Sequence, residues 1–256
     1  MGSRWGAVSR SRFCGMTPEA AVTTGALGLL GTGLMGLGWG LFHPRAALFG
    51  PVLWRGPGDR AAVALTFDDG PHPEYTARIA EILSKEGASA TFFCLGRRVE
   101  RHSGLATALH RAGYGLENHS FSHGTGRDLF QTERLRSDLQ RCQEVIVTIT
   151  SKPPRYYRPA VGIRNPVVHR AARAVGLQIV TWTQAGRDGV FALDARRARR
   201  MGTRATPGTI LALHDGSSAE RSALREATVR NLPELLRCLK DRELRFLTLG
   251  ELLTAT

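Results

Sequence analysis

Acidic residues are in short supply. Across 256 residues there are 22 Asp and Glu against 35 Lys and Arg, giving a net charge of +13 and a pI near 10.8. A chain this basic suits anionic surroundings such as phospholipid head groups, an acidic wall polymer or nucleic acid, although surface arginine that is merely solvated is the simpler reading. No aromatic platform or base-reading helix motif accompanies the arginines, so no nucleic-acid partner is expected. Cysteine is also scarce. Cys14, Cys94, Cys142 and Cys238 are scattered without any CxxC spacing, which argues against a thiolate zinc site and a disulfide framework and leaves buried thiols. No repeat or low-complexity tract appears beyond one Gly-rich segment.

Charge is absent altogether from Ala20 to Phe42. A run of that length can span a bilayer as a helix. It is rich in Gly, and no clean A-x-A cleavage site follows it. The run reads as an uncleaved membrane anchor, with a cleaved export signal or a soluble Gly-rich lead as the alternatives. Residues 1–19 form a polar lead. Arg4, Arg10 and Arg12 on one side face Arg45, Arg55 and Arg60 on the other, so flanking charge sets no orientation. Residues 43–60, with Pro44, Pro51 and Pro57, read as a linker. What remains, 61–253, is enough for one domain with a sizeable core.

Within that domain, strand-like runs at 62–67, 89–94, 114–118, 155–158, 177–183, 209–214 and 244–248 alternate with helical segments. Thr76 is placed to cap the first helix, whose Ile79, Ile82 and Leu83 share a face and which Gly87 stops. Thr132 opens a longer helix carrying Leu135, Leu139, Cys142 and Ile146. Asn165-Pro166 is a cap followed by Pro at the first helical position, and Gly176 ends that helix. The helix from Asp194 to Arg204 carries arginines nearly all round, as a solvated face or as a contact to anionic lipid or wall polymer. Alternating strands and helices argue for an α/β domain whose parallel sheet is closed or nearly closed into a barrel of about seven strands.

The first strand ends on Asp68 and Asp69, and Gly70-Pro71 then turn the chain. Two like charges so close raise one another's pKa unless a cation lies beside them. Downstream, Glu117-Asn118-His119-Ser120-Phe121-Ser122-His123 supplies two imidazoles four residues apart, a spacing that puts both on one side of a helical turn. One Asp and two His leave an open position on a divalent ion, as in catalytic rather than structural sites.

Thr66-Phe67-Asp68-Asp69-Gly70-Pro71 followed about fifty residues later by His119 to His123 resembles the polysaccharide deacetylase (NodB-homology) family, carbohydrate esterase family four. The resemblance covers roughly residues 60 to 252. It implies a distorted (β/α) barrel and a metal-dependent hydrolase that removes N-acetyl groups from an amino-sugar polysaccharide or glycan. Asp69, His119 and His123 would hold the divalent metal, most simply zinc, and Asp68 would be the general base. Tyr157-Arg158-Pro159-Ala160-Val161-Gly162 is similar to the third family motif. Arg158 would keep Asp68 charged and oriented, and the backbone N–H near Val161 would help hold the oxyanion. Ala160 and Val161 stand where the family shows Pro and an aromatic, which puts the substrate class in question. Ile210 to Asp215 matches the fifth motif, with His214 as general acid. Trp182 and Asp188 keep part of the fourth, but Ala185 and Gly189 depart from it. Asp188 would be the carboxylate partner of His214, and Trp182 would wall the substrate pocket. Two further readings remain: cleavage of another non-peptide C–N bond such as a cyclic amide, and a glycan-binding module without turnover.

Overall fold

The computed structural model describes residues 35–124, 130–216 and 221–254. The chain divides at Trp39 into two compact units, and the fold below is that of the unit from Gly40 onward. Its elements run β1 (Ala62–Asp68), α1 (Tyr75–Lys85), β2 (Thr91–Cys94), α2 (Gly96–Arg101), α3 (Ser103–Arg111), β3 (Gly115–Asn118), α4 (Thr132–Thr150), β4 (Tyr156–Tyr157), a 3₁₀ turn (Ala160–Gly162), α5 (Pro166–Ala174), β5 (Gln178–Ile179), β6 (Gln184–Ala185), α6 (Ala195–Arg204), β7 (Ile210–His214), α7 (Ser222–Lys240), β8 (Arg245–Leu247) and α8 (Leu249–Leu253). All named strand pairs are parallel, in the order β5-β4-β3-β2-β1-β7-β6, with β8 beside the start of β1.

β1 is buried along its whole length, as a strand covered on both faces must be. Its residues nevertheless divide by period two. Val63, Leu65 and Phe67 join the layer packed under the helices, where Phe67 stacks on Phe92 at 5.3 Å. Ala62 and Ala64 face the other way, against Phe93, Tyr156, Val180 and Ile210. Small side chains at 62 and 64 leave room for those larger neighbours on the concave side of the sheet. The same alternation continues upward to Thr66 and Asp68, so the concave face turns from apolar to charged at the strand's C-terminal end.

Three local expectations change. The strand expected over 177–183 is reduced to β5, and a second short strand, β6, follows just beyond it, giving eight strands among the described residues. β5 and β6 do not pair with each other. Instead the backbone of Leu53 takes a hydrogen bond from Thr181 N and gives one to Ile179 O, both at 2.9 Å, and Leu53 bridges Val180 in parallel. Arg55 bridges Thr209 on the other side of this opening. The Pro-rich stretch 43–60 is therefore tied into the sheet, and the barrel is a half-barrel whose open seam is covered by main chain rather than by a strand. Thr76 does not cap α1. It lies one residue inside the helix, where its hydroxyl accepts from His72 N and donates to the buried Asp215. The cap at Asn165, with Pro166 following, forms as expected, its side chain accepting from Val168 N at 2.8 Å. Cys94, Cys142 and Cys238 are free and buried, whereas Cys14 lies outside the described residues. So do residues 20–34 of the charge-free run. Residues 35–42 are helical, and no described helix is long and apolar enough to cross a membrane.

Candidate active site

The C-terminal ends of β1, β3, β4, β6 and β7 all deliver ionisable groups to one rim, where a parallel barrel places its chemistry. The first pair crosses the interior. Arg158, just after β4, is fully buried and donates through Nη1 to Asp68 Oδ1 and Thr66 Oγ1, both at 2.7 Å, and through Nη2 to Thr181 O at 2.9 Å. Its guanidinium carbon lies 4.1 Å from the centroid of the Phe93 ring. A buried guanidinium without a carboxylate would be very costly, and here the partner is Asp68. Asp68 Oδ2 makes no hydrogen bond among the described residues, so one oxygen of this carboxylate is oriented and the other is open.

Asp69 follows with φ of 75°, a left-handed conformation that swings its side chain away from that of Asp68. The next residue has to be glycine, because a Cβ on Gly70 would lie 2.0 Å from Asp215 Oδ2. Asp69 Oδ1 sits 3.3 Å from His119 Nε2 and 3.2 Å from His123 Nε2. Ligand atoms from the three residues all fall within 4.8 Å of one another. His119 Nδ1 is 2.7 Å from the carbonyl of Arg158, so that nitrogen is the donor and the Nε2 lone pair of a neutral ring faces the carboxylate. Asp69 Oδ1 is buried without a hydrogen bond. Electron pairs converging on one another in a buried place describe a cation site, and two imidazoles plus a carboxylate suit zinc or a similar divalent ion. Burial alone would raise the pKa of Asp69, but the surrounding imidazoles, His119 above all and then His214 and His123, pull it well below the usual carboxylate range.

The histidine segment is not a helical turn. His119 to His123 form a loop in which Ser120 and His123 adopt φ of 76° and 57°. A set of polar side chains maintains it. Asn118 Oδ1 accepts from Ser120 N at 2.7 Å, and Ser120 Oγ accepts from His123 N at 3.0 Å. Asp138 of α4 accepts from Phe121 N at 2.8 Å and from the Ser122 hydroxyl at 2.7 Å. The imidazoles come together through this loop rather than through helical periodicity. Nothing in the spacing signals Asp138, which lies fifteen residues beyond His123.

Across the rim, His214 closes β7 and Asp188 follows β6 rather than the single fifth strand expected. His214 Nδ1 is 2.8 Å from Asp188 Oδ1. Oδ2 of Asp188 accepts from Thr228 Oγ1 at 2.8 Å, Arg225 Nη1 at 3.0 Å and His214 N at 3.1 Å. Arg225 also donates to the carbonyls of His214, at 2.7 Å, and Asp188. Burial works against a charge on His214, yet the charge and hydrogen bond of Asp188, with the charges of Asp68 and Asp69, lift its pKa to about 9. Asp188 is held in the ionised form despite its burial, by His214 first and then by Arg225 and Thr228. Arg225 and Thr228 come from α7 and have no mark in the sequence: an Arg and a Thr on a helix are ordinary.

Val161 lies on the rim with φ of 49°, and its side chain is 67% exposed. That conformation is unusual for a β-branched residue and commonly marks a functional turn. The Val161 N–H makes no hydrogen bond among the described residues, which leaves it available as a donor. Trp182 is half-buried behind this turn, against Gly162, with the Arg158 guanidinium carbon 5.9 Å from its ring centroid. Gly189 faces the His214 ring; a Cβ there would lie 3.2 Å from it.

A model of the polysaccharide deacetylase family matches residues 55–180. A peptidoglycan-N-acetylglucosamine deacetylase of Bacillus cereus is 33% identical over 206 residues, covering 80% of this chain and 93% of that protein. A chitooligosaccharide deacetylase of Azorhizobium caulinodans is 29% identical over 168 residues, covering 65% and 79%. Among solved structures, a peptidoglycan N-acetylglucosamine deacetylase superposes with a TM-score of 0.70 at 26% identity, covering 80% of this chain and 94% of that one. A pseudoenzyme of carbohydrate esterase family four from Bacillus anthracis superposes with a TM-score of 0.68 at 27% identity, covering 79% and 69%. By this extent of shared sequence and fold, the chain belongs to the polysaccharide deacetylase family.

Proposed function

We propose that the protein is a metal-dependent hydrolase that removes N-acetyl groups from an amino-sugar polysaccharide or glycan. The reading rests above all on one arrangement: two separate charge pairs, Arg158–Asp68 and Asp188–His214, stand at the rim that carries the converging Asp69, His119 and His123. An acetamide needs an activated water, a stabilised oxyanion and a proton for the departing nitrogen. Asp69, His119 and His123 would hold a divalent ion, most simply zinc, which would acidify a water and polarise the carbonyl when bound. Asp68 takes the water's proton on its open oxygen while Arg158 holds the other. The Val161 N–H is a donor for the oxyanion. With Nδ1 engaged by Asp188, His214 gives its proton from Nε2 to the amine as acetate departs. Trp182 walls the substrate pocket.

Relatives named for peptidoglycan and chitooligosaccharides suggest N-acetylglucosamine polymers as first substrates to try. The test is acetate release from a panel of N-acetylated glycans, with and without chelation and zinc add-back. Release that chelation stops and zinc restores supports the reading. Metal-loaded protein that frees no acetate from any of them overturns it, and cleavage of cyclic amides instead would move the chemistry to another C–N bond. A second reading, a glycan-binding module without turnover, is favoured by the pseudoenzyme among the structural neighbours and by Ala160, Val161, Ala185 and Gly189. Binding of the glycan unchanged by chelation, with no acetate released, would decide for it. We also propose that residues 20–42 tether the domain to a membrane facing the cell envelope; recovery of the intact chain in the soluble fraction would refute that.

A further inference from the structure

One face of α6 is left unexplained by this chemistry. Arg197, Arg200 and Arg204, spaced three and four apart, line a cavity of about 800 Å³ together with Arg45, Arg187 and Trp182. No carboxylate lines it, and among the described residues none of these five arginines forms an ion pair. Arg199, on another face of the helix, behaves differently and is neutralised by Glu234 at 2.8 Å. This face, unlike that of Arg199, carries its charge unbalanced. Arg197 is also set in place: it donates to the carbonyls of Ala192 at 3.3 Å and Gly186 at 3.4 Å and lies 5.6 Å from the Phe191 ring centroid. Arg45 is stacked over the Trp54 ring at 4.6 Å, and like Arg187, Arg200 and Arg204 it lines the cavity with no carboxylate partner among the described residues.

The position ties this groove to the catalytic rim. Its wall is the chain from Trp182 to Arg187, and the next residue, Asp188, is the partner of His214. Five like charges around one cavity repel each other until an anion enters. A single carboxylate would balance one of them. A phosphate brings up to two charges and three acceptor oxygens that match guanidinium forks. We propose that this groove is a subsite for a phosphate group carried by the amino-sugar substrate, an assignment that rests on the deacetylase reading above. The enzyme would then prefer a phosphorylated acetylated glycan to its neutral counterpart.

The test separates the two assignments. Inorganic phosphate is titrated into the metal-loaded protein by calorimetry, alongside Arg200→Gln/Arg204→Gln and the distant exposed variant Arg242→Gln. Wild type and Arg242→Gln should bind alike, and the double variant should bind at least about tenfold more weakly. Raising the salt should weaken wild-type binding further, because these arginines are largely solvated. In parallel, kcat/KM for acetate release is compared on phosphorylated and neutral N-acetylglucosamine oligomers, and the double variant should lose the preference while keeping its rate on the neutral oligomer. Phosphate binding that ignores the double substitution overturns the subsite. So does equal use of both oligomers by the wild type, or binding confined to phosphatidylglycerol vesicles, which would make the patch a lipid-contact surface. Selective phosphate binding without any acetate release leaves the groove standing and removes the deacetylase reading instead.

Discussion

Replacing Asp188 with Asn tests the acid half of the site directly. His214 has a pKa of about 9 against an ordinary 6.5, so the folded site favours its imidazolium by about 3 kcal/mol. The largest favourable contribution is the Asp188 carboxylate at 2.8 Å. With that charge gone, burial is the main influence left, and the pKa should fall to 6.5 or below. At pH 7.5 a group of pKa 9 is about 97% protonated and one of pKa 6.5 about 9%, so the rate should drop at least about tenfold. The whole pH profile tells more than the rate at one pH. In the wild type, activity should be lost as pH rises through about 9, because the general acid is then deprotonated. In Asp188→Asn that falling limb should move below about 6.5, and part of the activity should return in acid. Because the folded pKa is raised, the pair's contribution to stability has the same direction: fully present below the unfolded value and lost as pH rises through about 9. The assay is kcat/KM from pH 5 to 10 on protein shown by circular dichroism and thermal melting to be folded. A variant whose limb stays near 9, or whose rate at pH 7.5 is undiminished, would refute His214 as the acid.

Asp68→Asn should abolish turnover and leave bound metal unchanged, whereas His123→Ala should lose both; metal content by atomic absorption beside the acetate assay distinguishes base from ligand. Asp138→Ala removes the acceptor that holds Phe121 N and the Ser122 hydroxyl, so the loop carrying His123 should loosen and metal affinity fall about 10–100-fold, read by competition with a chromogenic chelator. Arg225→Gln breaks a buried pair at a cost of about 3–5 kcal/mol, which should lower Tm by roughly 6–20 °C in a scanning melt. In the same variant the falling limb of activity should move upward, since the charge of Asp188 is then shared with His214 alone.

Much of the site was legible because its chemistry is local in the chain. Asp68 and Asp69 end an apolar run, His119 and His123 follow a strand, and His214 closes one; each stands where a parallel strand meets the rim. The partners of these groups were only partly legible. Arg158 and Asp188 carried motif context and do reach Asp68 and His214. Asp138, Arg225 and Thr228 carried none, because a residue that steadies another through tertiary contact obeys no spacing rule. His119 and His123 stand four positions apart, a spacing that reads as a helical turn, and only the backbone of Ser120 and His123 shows that the segment is a loop.

By itself, the sequence indicated the kind of domain and the strand ends at which Asp68, Asp69, His119 and His214 stand, since hydrophobic period and chain direction dictate where each strand ends, whereas the pairing of Asp188 with His214 came from the family resemblance. Tertiary structure alone decided where the sheet stops. β5 and β6 do not pair, and the main chain of Leu53 takes up Ile179 O and Thr181 N beside that seam. It also decided which arginines are neutralised and which line a groove, because helical periodicity names the faces of α6 but not the neighbours each face meets.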